Sequence, residues 1–198
     1  MLMVGSGPAE VESMLAGGGL VCPGCAGCLA RWGYARSRTI RGVNGLLTRI
    51  RPRRARCTGC GRTHVLLACV MLARRADCAE VIGAALVAKA SGVGHRRIAA
   101  AAGVPEATVR GWLRRFTARA WAWRDVFTSL VMALDPEPEP VRVCGSVFAD
   151  AVSVMGVAAA AAARRFGPRP PWEFVSVASA GALLGPIPVG DIGGGVRW

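Results

Sequence analysis

Acidic residues are missing from one long stretch: from Cys22 to His64 there is no aspartate or glutamate, against ten arginines. Histidine is scarce as well, with only His64 and His95, so a Ser-His-Asp constellation has no motif to support it. A two-metal phosphoryl-transfer core needs three carboxylates preorganised on an α/β scaffold. The 73 residues after Asp125 are rich in Ala, Gly and Pro, and Asp135, Glu137 and Glu139 stand among prolines, where nothing preorganises them. The expectation is a chain that is not an enzyme. Long apolar runs are lacking too. A spanning helix needs about 20 apolar residues. Ala151 to Ala163 is too short and is flanked by Asp150, Arg164 and Arg165, while Phe174 to Gly190 is broken by Pro186 and Pro188. No charged n-region followed by an apolar segment opens the chain, so the expected location is cytoplasmic, with no membrane partner. Lysine is nearly absent (Lys89 alone), which reads as a coding preference and makes the choice of Arg over Lys weak evidence by itself.

What the chain does have is concentrated charge. Of a formal net +13, residues 22–64 carry +10 and residues 65–125 carry +6, while both ends are slightly acidic. Such a local field attracts polyanions, nucleic acid foremost. The most basic stretch is bracketed by two C-x-x-C pairs, Cys22–Cys25 and Cys57–Cys60. In a reducing compartment, paired cysteines of this kind read as metal or redox chemistry. The two-residue spacer turns both sulfurs of a pair toward one point, at about 2.3 Å from Zn2+. Gly24 and Gly59 permit the tight backbone, and Gly61 lets the second knuckle close. A structural Zn2+ on Cys22, Cys25, Cys57 and Cys60 is expected, with no open position for catalysis. Cys28 extends the first pair to a C-x-x-C-x-x-C run, but Trp32 stands where an iron–sulfur pattern would place its next cysteine. His64, just past the second knuckle, is an alternative ligand. Cys69, Cys78 and Cys144 lack partners at ligand spacing and read as small buried hydrophobes. A thioredoxin-like role lacks its βαβ context.

The expected fold class is α+β: a small zinc-ribbon β-hairpin unit, then a three-helix unit, then an Ala-rich helical tail. Residues 1–21 read as a flexible leader, with Val11 to Leu15 at most a short helical turn. Alternation over Leu29 to Arg38, an Asn44-Gly45 turn and a return over Leu46 to Arg56, bent at Pro52, predict a hairpin. Thr63 to Leu67 is a third strand, completing a ribbon at 22–68. A helical domain spans 75–134. Its first helix is expected from Asp77, an N-cap with Glu80 at capping-box spacing, to Lys89–Ser91. The second covers Arg96 to Ala102, and the third runs from Pro105 to about Trp123. A Pro-rich linker (135–145) leads to the tail (146–198), with one helix near Val147 to Phe166 and a short one near Trp172 to Leu184.

The second and third helices have a helix-turn-helix register. Ala99 is small where the helices must approach, Gly103 accepts a positive φ at the turn, and Ile98, Val104, Val109, Trp112, Leu113 and Phe116 knit the pair. Val109, Leu113 and Phe116 share one face, leaving Ala107, Arg110, Gly111 and Arg114 on the other, where a recognition helix meets DNA. Arg110 is the candidate base reader, since a guanidinium bonds guanine O6 and N7 together. Thr108, Arg114, Arg115, Arg96 and Arg97 are candidate phosphate clamps, with Arg36, Arg38, Arg49 and Arg51 as a second grip on the hairpin. The plainer alternative is a helical hairpin whose outside is coated with arginine. Trp112, Trp121 and Trp123 read as core or interface.

Several segments carry a resemblance: Cys22 to Cys25, Arg31-Trp32-Gly33, Arg56 to Leu67, Gly94 to Ala100 and Val109 to Phe116. They resemble a family of actinobacterial zinc-ribbon/helix-turn-helix proteins, a domain of unknown function similar in layout to the N-terminal DNA-binding part of insertion-sequence transposases. The resemblance covers most of the chain and is strongest over residues 20–134. Cys28 and Ala68 depart from it, since such proteins usually show no Cys and a Pro at those places. It implies double-stranded DNA as partner and a nucleoid location, with a role as transposition accessory or transcriptional regulator, and with a transposase or a second copy as further candidate partners. The alternative is a zinc-ribbon module that docks on a nucleoprotein complex through protein contacts.

Overall fold

The computed structural model describes residues 1–135, 137–138 and 143–186. Among them lie six strands and seven α-helices, a mixed α+β architecture with the strands all in the first third of the chain. β1 (Leu2–Val4) and α1 (Pro8–Ala16) come first, followed by β2 (Leu29–Tyr34), β3 (Arg38–Arg41), β4 (Leu47–Ile50), β5 (Arg53–Cys57) and β6 (Thr63–Ala68). A four-stranded sheet has the order β1-β6-β5-β2, and β3 pairs with β4 as a separate ribbon. The long hairpin expected from Leu29 to Arg56 is thus two antiparallel rungs, β2 with β5 and β3 with β4. The division has a local cause. Gly33, at φ 81, lies where the register slips between Arg31 and Tyr34, and Pro52, which has no N–H, only accepts a bond from Ala35 N at 2.8 Å. Asn44 (φ 56) and Gly45 (φ 73) make the turn, as their pairing predicts.

Residues 1–21 are not the expected flexible leader. β1 pairs in parallel along the outer edge of β6, satisfying amides that an edge strand leaves open. α1 starts at Pro8, whose missing N–H costs nothing in a first turn. It sets Val11 and Leu15 into a small core with Leu29, Ala55 and Leu66. The sheet needs an apolar cover on that face, and α1 is the nearest segment able to supply it.

The remaining chain is helical: α2 (Ala79–Ala90), α3 (His95–Ala102), α4 (Glu106–Thr117), α5 (Ala120–Leu134), α6 (Val147–Phe166) and α7 (Pro171–Ala178). The helix expected from Pro105 to Trp123 divides at Ala118–Arg119, where Arg119 (φ −133, ψ 7) leaves helical geometry. The break turns the chain so that Trp123 and Phe127 point into the core, and Trp123 Nε1 donates to the Leu183 carbonyl at 3.0 Å. Asp77 does not cap α2, whose N-cap is Cys78 without a side-chain bond. Asp77 is buried and pairs instead with Arg41 at 3.5 Å.

The expected C-terminal tail is helical but is no appendage. α6 packs along α5 and against α2 and α7, with nine of its residues buried. Its 20 residues and mean hydropathy of 1.5 would suffice to cross a membrane by length and composition. The apolar side chains are used inside the molecule, where Ala151, Val154, Met155, Ala158 and Ala162 join the main core. Ser146 caps its start by accepting from Ala149 N at 3.2 Å, and Arg164 and Arg165 oppose the dipole at its end. Cys144, expected as a buried hydrophobe, is exposed, because it lies ahead of that cap and outside the packed stripe; Cys69 and Cys78 are buried. Five residues of the expected Pro-rich linker (136 and 139–142) and the end of the tail (187–198) lie outside the described residues.

Candidate metal centre and basic surface

The two C-x-x-C pairs sit on two closed turns of the sheet unit. In the first, Cys22 N donates to Gly27 O and Ala26 N to Cys22 O, both at 2.8 Å. In the second, Gly61 N donates to Cys57 O at 3.0 Å and Cys57 N to Arg62 O at 2.8 Å. β2 and β5 pair Leu29 with Cys57, which brings the turns face to face. All four sulfurs then lie within 4.8 Å of one another. Cys22 Sγ is 3.8 Å from Cys60 Sγ, and Cys25 Sγ is 3.4 Å from Cys57 Sγ. Four sulfurs at about 2.3 Å from a tetrahedral ion stand about 3.8 Å apart, so the donor set fits a metal ion.

The glycines belong to the same geometry. Gly61 (φ 72) closes the second turn, as its position predicts. A Cβ on Gly27 would lie 3.1 Å from Cys57 Sγ and 3.4 Å from Cys25 Sγ. Sequence reasoning missed Gly27, although the Ala26-Gly27 dipeptide after a knuckle is a local signal for it. Crowded thiols divide their protons unevenly. The Cys60 backbone N–H leads the effects that pull Cys57 down to about 6. For Cys25, the backbone contact at Gly27 pulls down, but bonds to Cys57, Cys60 and Cys22, together with burial, push it up to about 12. A divalent cation would allow all four to exist as thiolates.

Neither alternative ligand joins the cluster. The Cys28 carbonyl accepts from Thr58 N and Oγ1 at 3.0 and 3.2 Å, and its exposed thiol stays outside the four-sulfur group. His64 is buried behind Cys22, with Nε2 3.5 Å from Cys22 Sγ, and touches the site without entering the set.

In the helical unit, α3 and α4 meet through Ile98, Ala99, Val104, Val109, Trp112, Leu113 and Phe116, all buried. Gly103 turns between them at φ 62. Arg97, Ala107, Arg110 and Arg114 are exposed, while Thr108 and Gly111 are half-buried. Arg96 is exposed and lies 3.6 Å from Glu106 at the start of α4. Arg115 turns back on its own helix, donating to the Gly111 carbonyl at 3.0 Å, so it does not stand with Arg110 and Arg114.

On the hairpin, Arg36, Arg49 and Arg51 are exposed. Arg51 and Arg53 stack on Tyr34 at 5.0 and 4.4 Å, and Arg56 stacks on Trp32 at 4.7 Å. Arg38 is drawn inward, where Nη2 reaches Met71 Sδ at 3.9 Å and burial pushes its pKa down. The residue that joins the two basic units was invisible in the sequence. Arg41 Nη1 donates to the Gly103 carbonyl at 3.2 Å, its N donates to Ala76 O at 2.7 Å, and its own carbonyl accepts from Cys78 N at 2.8 Å. No local pattern announces Arg41, because its partners are 35 or more residues away. No family model, curated protein or solved structure matches the chain.

Proposed function

We propose that this protein is a zinc-stabilised, sequence-specific DNA-binding protein. The four cysteines would hold Zn2+ as a structural ion that fixes the ribbon's shape and leaves no position open for chemistry. α3 and α4 would act as a helix-turn-helix with α4 in the major groove: Arg110 reads a base edge, Arg114 and Arg97 take phosphates, and Arg49 and Arg51 supply a second backbone grip. The observation that carries this reading is the α3–α4 register. Buried Ala99 and left-handed Gly103 stand where such a pair needs them, with Arg97, Arg110 and Arg114 left outward. The role as transposition accessory or transcriptional regulator rests on the resemblance to the DNA-binding part of insertion-sequence transposases. The rival reading, a protein-docking module, draws on Trp121 and Met132, which stand 62% and 61% exposed on α5.

Mobility shifts of the full chain on random-sequence duplexes, across a salt series, separate the two. Each neutralised phosphate contributes about 0.9 to the slope of log K against log salt, so DNA binding through this surface should be steeply salt-dependent. In the same assay Arg110→Ala should relax sequence preference by about 1–3 kcal/mol at one position, while Arg97→Ala should weaken all duplexes alike. A shift that is absent or flat with salt would sink the proposal.

A further inference from the structure

Three large aliphatic side chains stand in water at the tip of the arginine-rich hairpin. Val43, Leu46 and Leu47 are 52%, 66% and 65% exposed. Polar residues serve well in such a turn, so aliphatic ones crowded there mark an interaction surface. The helices beside them do not cover them: an open cleft of about 440 Å3 lies between Gly42–Gly45 and residues Ala84, Ala85 and Ala101. The tip itself is closed by its own backbone, with Gly42 N donating to Leu46 O at 2.7 Å and Leu46 N to Val43 O at 3.2 Å.

Its place in the molecule is also fixed. Strand pairing sets Leu47 opposite Arg41 and Arg49 opposite Thr39, so Leu47, Arg49 and Arg41 share one face of the ribbon. Arg41 holds that ribbon to the carbonyl of Gly103, in the turn that leads into α4, and is itself held by Asp77 and the backbone of Ala76 and Cys78. The apolar tip therefore stands beside the end of α3 and the Gly103 turn that leads into α4, on a stretch with no acidic residue from Cys22 to His64. An aliphatic point with Arg41 and Arg49 on the same ribbon face complements a polyanion with an apolar interior, and a stacked duplex has that character.

We propose that Val43, Leu46 and Leu47 form a wedge that enters the minor groove of duplex DNA next to the segment met by α4, parting a base step and bending the helix. The inference rests on the DNA-binding reading and adds to it a deformation. Side chains at the tip, not the strands, enter the narrow groove, while Arg49 takes the adjoining phosphate. Unstacking costs a few kcal/mol, offset by the protein surface that a bent duplex can reach. Pyrimidine–purine steps open most readily, so they should be preferred beneath the tip although no side chain reads their edges there.

The probe is a duplex enriched by the full-length protein from a random-sequence pool. It is labelled at both ends with a fluorescence donor and acceptor, and carries 2-aminopurine beside its flexible steps. Wild-type protein should raise energy transfer between the ends and brighten the 2-aminopurine. Leu46→Ser with Leu47→Ser should lose both signals in the complexes that form at saturating protein. Leu47→Ser alone, on the exposed face of β4, should lose part of each, with circular dichroism checking that both variants fold. A wild-type complex that stays straight, or a double variant that bends the duplex as the wild type does, overturns the wedge while leaving DNA binding intact. A double variant that bends DNA normally but loses self-association in sedimentation assigns the tip to protein contact and overturns it too. Failure to enrich any duplex removes the DNA-binding reading, and the wedge with it.

Discussion

Gly83 shows how far a single position can depend on a distant one. A Cβ built there would lie 2.0 Å from Cδ2 of Trp172, so the indole occupies the space a side chain would need. Glycine in a helix interior ordinarily costs about 1 kcal/mol relative to alanine, yet here Gly83→Ala should destabilise. Overpacking of a closed core costs about 1–3 kcal/mol, which would appear as a lower midpoint in urea; an unchanged or higher midpoint would show that Trp172 does not seat there. Glu80 carries a different kind of tension. Burial, then the neighbouring Glu173 carboxylate, raises its pKa, and its Oε2 is buried without a hydrogen-bond partner. A raised folded pKa means that the carboxyl favours the fold while protonated: that contribution is full below the ordinary glutamate value and is lost as pH rises through the raised one. Glu80→Gln should therefore raise the unfolding free energy at neutral pH, by no more than about 1 kcal/mol given the partial exposure. The gain should vanish in acid below the ordinary value, and a gain that persists there would refute the electrostatic origin.

At the scale of elements, the sheet unit and the helices draw on different sources of stability. The core under the sheet is small, built around α1, Leu29, Ala55 and Leu66, with Cys22 and Cys57 among its members. The helical core is larger and contains Phe116, Trp123, Phe127 and Phe174, each almost fully buried. Full burial of such a side chain contributes about 1.5–3 kcal/mol. A small unit whose core includes two of the four cysteines that could hold a metal ion is expected to depend on that ion. Chelation should accordingly strip amide-exchange protection from β2, β5 and β6 and leave α4, α5 and α6 protected. Unchanged protection of β5 in protein verified to be metal-free would exclude a structural role for zinc. Cys57→Ser should reproduce the chelated pattern.

At the scale of the whole molecule, the two basic units are joined at the linker 76–78 and at the α3–α4 turn, both through Arg41. A long-range field and a direct contact between the units thus coincide. The +10 stretch and the +6 stretch are presented together, instead of on a flexible tether. α6 completes the same economy of apolar surface. Its stripe is spent against α2, α5 and α7, and its exposed ends carry Asp150, Arg164 and Arg165. Arg164 pairs with Asp135 at 2.6 Å, tying the C-terminal ends of α5 and α6 together.

The amino-acid sequence by itself determined what depends on near neighbours: the two knuckles with their glycines, the Asn44-Gly45 turn, the bend at Pro52, and the α3–α4 register around Ala99 and Gly103. Each follows from backbone freedom or helical periodicity within a few residues. Only the tertiary structure decided which distant groups would meet. It paired β1 with β6, gave Asp77 to Arg41 instead of to a helix end, broke the third helix at Arg119 and turned an Ala-rich tail into core. Those outcomes depend on which edge needs a strand and which face needs a cover, conditions that arise only once the other elements are in place. The gathering of four sulfurs within 4.8 Å has both origins: spacing makes each pair, and the register of β2 on β5 makes the four one site.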